Sequence, residues 1–96
     1  MSDSDTDAAE TVRCWLVERT YTDRGLIDLV YATPDGGRVR RKQVSATIMR
    51  QRDVETTAAT AVAASDLEPV DDEATRDRYR EEVERVRAVH APDDEL

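Results

Sequence analysis

LIDLVYATPDGGRVRRKQV, residues 26–44, decides the fold. Its first run alternates. Ile27, Leu29 and Tyr31 fall on one face of an extended chain, and Leu26, Asp28 and Val30 fall on the other, the period of two that a strand imposes. Thr33-Pro34-Asp35-Gly36-Gly37 follows as a hairpin turn. Proline presets φ at the first corner, aspartate suits the second, and a glycine takes the left-handed position of a hairpin bulge. RVRRKQV then resumes the extended pattern at once, so the two runs pair antiparallel. Upstream, TVRCWLVERTY (11–21) is rich in β-branched and aromatic residues, with Val12, Cys14 and Leu16 on one face and Trp15 and Val17 on the other. Thr22-Asp23-Arg24-Gly25 joins it to the second run by another short turn, and the three make a meander.

The second half changes period. Asp53 is placed to cap a helix through VETTAATAVAAS (54–65), where Val54, Ala58, Ala61, Val62 and Ser65 form a stripe of small residues. VSATIMRQ, before it, reads two ways: it extends the third strand, or it begins this helix with Ile48 and Met49 turned inward. Pro69 ends the element. Asp71 or Asp72 then caps a second helix, EATRDRYREEVERVRAVH, whose Tyr79, Val83 and Val86 stand at i, i+4 and i+7, with Glu81–Arg85 and Arg80–Glu84 as supporting ion pairs. The expected architecture is α+β: a three-stranded antiparallel meander followed by two helices packed on one face. Residues 1–10, with four acids and no large apolar side chain after Met1, are expected to be a disordered acidic N-terminus. Residues 11–90 form a single domain, and 91–96 a loose acidic tail.

Charge sets the habitat. The chain has 22 acids against 14 bases, a net charge of −8, with 13 of the bases arginine and no phenylalanine. Self-repulsion on that scale destabilises a compact state, but at molar salt the Debye length falls to about 3 Å and the repulsion is screened. A salt-rich cytoplasm is the expected setting. No apolar run approaches the length of a membrane span, no leader pattern precedes the first strand, and a lone cysteine makes neither an internal disulfide nor a zinc site. A body this small buries one thin core and leaves little to wall off a deep pocket, so no enzyme activity and no cofactor are expected.

Two clusters carry the functional expectation. Between Arg38 and Arg52 stand six bases (Arg38, Arg40, Arg41, Lys42, Arg50 and Arg52) and no acid; the segment is +6 within a chain of −8, which leaves −14 on the remainder. Arg38, Arg40 and Lys42 share one face of the third strand at about 6.5–7 Å intervals, a spacing that suits successive phosphates of a nucleic acid. The competing reading pairs them internally with the chain's own carboxylates, above all those of the second helix. Trp15, Val17 and Val30 form an apolar group on the sheet face opposite Cys14. That group is either an exposed partner surface or is covered by the chain around 46–52. Cys14 reads as a small core hydrophobe. His90, at a helix end, is better explained by the helix dipole than by pairing with that thiol. Asp71-Asp72-Glu73 and Asp93-Asp94-Glu95 lack the spacing of a calcium loop, so no metal is expected.

The words WLVERTYTD, YATPDGGR and the closing HAPDDEL, together with VETTAA and EPVDDEATRDRYREEVERVRAV, carry a resemblance over nearly the whole body from about Arg13 onward. The chain resembles a family of small acidic uncharacterised proteins of halophilic archaea. The resemblance implies the saline habitat, a cytoplasmic location and a self-contained short protein; with no activity assigned to the family, it carries over no site residue. The functional expectation is a non-catalytic protein-interaction module, a homodimer or small accessory subunit. Trp15, Val17 and Val30 serve as its apolar anchor, with Arg38, Arg40 and Lys42 as its charged rim. The alternative is a nucleic-acid-associated regulator using the basic segment 38–52. Counterion release contributes little affinity at molar salt, and no aromatic residue lies between Tyr31 and Tyr79 to stack on a base.

Overall fold

The computed structural model describes residues 10–52 and 56–96. Three strands come first: β1 (Thr11–Tyr21), β2 (Leu26–Ala32) and β3 (Arg38–Ser45). A short helix α1 (Ala46–Arg52) follows, then β4 (Ala59–Ala63), a single 3-10 turn (Ala64–Asp66), the two-residue β5 (Glu68–Pro69) and the 17-residue helix α2 (Glu73–Val89). The strands form one antiparallel sheet in the order β4-β1-β2-β3-β5.

Both turns take the geometry their residues demand. Gly36 has φ +74° and its N–H bonds the Thr33 carbonyl at 2.8 Å; Gly25 has φ +75° and bonds the Thr22 carbonyl at 3.2 Å. Asp35 locks the first turn, its Oδ1 accepting from the Thr33 hydroxyl at 2.6 Å and from the Gly37 N–H at 2.8 Å. Gly36 is needed twice over, because a Cβ there would collide with the Arg76 carbonyl oxygen and the Arg80 nitrogen of α2.

The expected plan of three strands and two helices is corrected by this sheet of five strands, with one long helix and one short one. The error falls on 54–65. Asp53 and Val54 lie outside the described residues, but Ala59–Ala63 is a strand that pairs with Thr11–Trp15. The reason is the length of β1. β2 covers only Trp15–Tyr21 of its eleven residues, which leaves the backbone groups of its first half without a partner. β4 supplies them, with β-branched Thr60 opposite Cys14 and Val62 opposite Val12. The many alanines read as helix by propensity, but here they are what fits close beside Trp15. The run 46–52, open between strand and helix, is helical; the Ser45 hydroxyl accepts from the Ile48 N–H at 3.2 Å, and Ala46 and Met49 turn inward.

Each sheet face carries its own core. Under α2 lie Trp15, Val30, Ala32 and Val39, packed with Val70, Tyr79, Val83 and Val86. On the opposite face Cys14, Leu16, Ile27, Leu29, Tyr31 and Val62 pack with Val12, Val44, Ala46, Met49 and Leu67. The expectation that both helices cover one face is therefore corrected as well. α2 starts as expected, with the Asp72 carboxylate accepting from the Thr75 N–H at 2.9 Å and its hydroxyl at 2.7 Å. Its ion pairs run i,i+3, Arg80–Asp77 and Arg85–Glu82, in place of the i,i+4 pairs expected.

The last residues, expected as a loose tail, lie beside the start of β4. The Ala58 N–H bonds the Asp94 carbonyl at 2.8 Å, Ala59 bonds Pro92 at 2.9 Å, and Leu96 bonds Thr56 at 2.8 Å. The Leu96 side chain packs against both cores.

Candidate functional site

The residues proposed from sequence separate by face. Trp15 and Val30 are 6% and 7% exposed beneath α2, so the apolar patch imagined on that face is corrected: the helix covers it. Val17 is half-buried at a β-bulge between Leu16 and Glu18, and the Arg87 guanidinium stands 5.8 Å from the centre of the Trp15 ring. The long helix, and not the chain at 46–52, covers this face.

Arg38, Arg40 and Lys42 share the other face. Arg40 pairs in register with Tyr31 and Lys42 with Leu29, so all three project on the side of Cys14 and Leu16, away from α2. This geometry removes the second helix as an internal source of counter-charge. The ion pairs among the described residues join Arg41 to Glu68 at 3.9 Å, Arg78 to Glu18 at 3.8 Å, neighbours along α2 to each other, and His90 to Asp94 past its end; none involves Arg38, Arg40 or Lys42. All three are exposed. Arg41 and Gln43 point to the α2 side, where Gln43 donates to Asp28 at 2.8 Å. Arg50 is exposed on α1.

The sheet coils so that β4 and the 3-10 turn face β3 across the second core. Between them runs a cleft of about 270 Å³, lined by Tyr31, Arg40, Lys42, Thr57, Thr60–Ala63 and Asp66. Tyr31 and Val62 belong to the core beneath it. The Tyr31 hydroxyl donates to the Thr57 carbonyl at 3.4 Å; burial pushes its pKa up, against a smaller opposite effect of Arg19. Two cations and the threonine side chains face one carboxylate, Asp66. The two cations favour anionic oxygens on the β3 side, and the Asp66 carboxylate disfavours them on its own side. Sequence reasoning found the cations but missed Tyr31, Thr57, Thr60 and Asp66, because a helix over 54–65 cannot face β3 edge-on. The alternation of Thr60 with Val62 was the available signal.

Cys14 and His90 do not line the cleft. Cys14 is fully buried, its Sγ directed to the Val12 carbonyl at 3.6 Å, and burial pushes its pKa up despite the nearby Arg38. His90 faces Asp94 at 3.6 Å, and its backbone caps α2 through Val86. No helix among the described residues is long and apolar enough to cross a membrane.

A family model describing a family of unknown function (DUF7967) matches residues 8–96, from before β1 through the closing tail. The chain belongs to that family. The DUF7967 match takes in all five strands, both helices and every residue of the β3–β4 cleft. No curated protein and no solved structure matches the chain.

Proposed function

We propose that this DUF7967 protein is a non-catalytic interaction module of a salt-rich, haloarchaeal cytoplasm that docks an acidic protein partner on the Arg38, Arg40 and Lys42 face. One observation carries the reading: three exposed cations aligned on one strand, without an ion pair among the described residues, in a chain of net charge −8. Other exposed arginines stand scattered, whereas these three share one strand face, with Asp66 the carboxylate lining the cleft beside two of them, and such a row suits an anionic ligand. The saline setting sharpens the partner class. Where the Debye length is about 3 Å, only contact pairs inside a partly desolvated site survive, and long-range attraction to a polyanion is lost. A protein carboxylate seated in the cleft satisfies this condition. A duplex backbone held by three cations loses most of its affinity.

The buried Trp15 and Val30 drop out of the docking surface. A nucleic-acid partner on segment 38–52 is the second reading, resting on the same cations. Affinity capture from a haloarchaeal lysate at native salt, with the wild-type chain and with R38E/R40E/K42E, tests both. A stoichiometric protein retained by wild type and released by the variant supports the proposal. Retention of RNA or DNA in its place favours the second reading, and equal retention by the two baits sinks both.

A further inference from the structure

The ladder sets the phase of β4. The Leu16 N–H bonds the Ala58 carbonyl at 2.8 Å and the Ala64 N–H bonds the Glu10 carbonyl at 3.1 Å, so in antiparallel alternation Thr60 and Val62 exchange hydrogen bonds with β1. Ala59, Ala61 and Ala63 turn their backbone groups outward. Ala59 is satisfied: its N–H reaches Pro92 at 2.9 Å, and its carbonyl accepts from the Thr57 hydroxyl at 2.8 Å. Ala61 and Ala63 lie beyond the tail, and β4 ends the sheet.

Edge strands are ordinarily guarded by charge, proline or a covering loop. This one is not. Thr56–Ser65 reads TTAATAVAAS, ten residues without a charge in a chain that is 38% charged, and Thr60 and Ala61 are exposed. The same stretch lines the cleft that holds Arg40 and Lys42. Pro92–Leu96, an acidic segment, already pairs with Thr56–Ala59 along the first half of this edge.

We propose that the second half of the edge takes one more strand, an extended acidic segment of a protein partner, with carboxylates at alternate positions. Hydrogen-bonded to Ala61 and Ala63, it closes the seam between β4 and β3. Every second side chain then turns into the cleft, and its spacing of about 7 Å matches that from Arg40 to Lys42. Asp66 limits the pattern to two carboxylates, since a third beside it meets like charge. Main-chain pairing supplies affinity that salt does not screen, and the two cations supply selection. The inference rests on the function proposed above and adds the form of the partner.

The test uses the full chain and three synthetic peptides titrated by NMR: TDTDTVT, its isomer TDDTTVT, and TDTDTVT with alternate backbone nitrogens methylated. TDTDTVT is expected to bind at least roughly tenfold more tightly than the isomer and to protect the Ala61 and Ala63 amides from hydrogen exchange. The methylated peptide and the R40E/K42E variant lose that binding. Ala61→Pro loses it too while keeping the β1–β2 amide pattern, because it removes an outward N–H. Equal binding of the two isomers, lost in R38E/R40E/K42E, leaves the acidic-partner reading standing and overturns strand addition. No peptide binding, or protection of the edge by single-stranded RNA in its place, overturns both.

Discussion

At the scale of single residues, Trp15 separates core from surface most cleanly. Its ring lies between the sheet and α2, beside Val83 and Val86 in one cluster. Trp15→Ala is expected to cost about 3–5 kcal/mol, read from the urea midpoint, because transfer and cavity penalties add. A variant of unchanged stability would return Trp15 to the surface. Asp35 works through hydrogen bonds. The Thr33 hydroxyl and the Gly37 N–H hold its carboxyl below the usual range, and the Thr75 hydroxyl and N–H do the same for Asp72. Both groups have folded pKa values below their unfolded ones, so their stabilisation is complete above about pH 5 and is lost as pH falls through the folded values. The urea midpoint should therefore fall on acidification below about pH 4. Asp35→Asn, which keeps an acceptor but not the charge, should lower stability at neutral pH and flatten part of that slope. An unchanged slope would show that the turn carboxylate does not contribute. These residues were readable from sequence because a turn and a helix start are local chemistry, settled within four residues.

At the scale of elements, the first three strands, both turns and α2 follow from patterns inside each segment, and β4 does not. Ala58–Ala64 satisfies helix propensity and strand alternation about equally, with Thr60 and Val62 the only β-branched residues. Thr60→Pro and Ala61→Pro test the phase directly. Thr60 gives its N–H to β1, so proline there removes a ladder bond and should cost about 3 kcal/mol. Ala61 points outward, and proline there should be tolerated with a loss of less than about 1 kcal/mol. A helix would be broken by both, so equal losses in thermal unfolding would refute the strand assignment. The basic row shows the same limit. Period-two spacing places Arg38, Arg40 and Lys42 on one face, but which core lies beneath that face depends on where α2 docks, 31 residues or more along the chain.

At the scale of the whole molecule, charge outweighs any single contact. The chain is −8 overall and −14 outside the basic segment, and the ion pairs among the described residues are mostly exposed surface pairs, each worth about 0–1 kcal/mol. Screening should therefore stabilise the fold. Tm is expected to rise as KCl increases from about 0.1 to 2 M, because unlike-charge contacts lose less than like-charge repulsion relaxes. A Tm that falls with salt would show that specific ion pairs dominate. The sequence by itself determined the first three strands, a helix capped by Asp71 or Asp72 with Tyr79, Val83 and Val86 inward, and the basic row, because these depend on periodicity and on turn chemistry within reach of neighbouring residues. Only the tertiary structure decided that 59–63 is a strand, that α2 covers Trp15, and that the acidic tail pairs along β4. Those outcomes turn on which distant backbone groups need partners and which apolar face needs cover, and a chain read locally does not contain that competition.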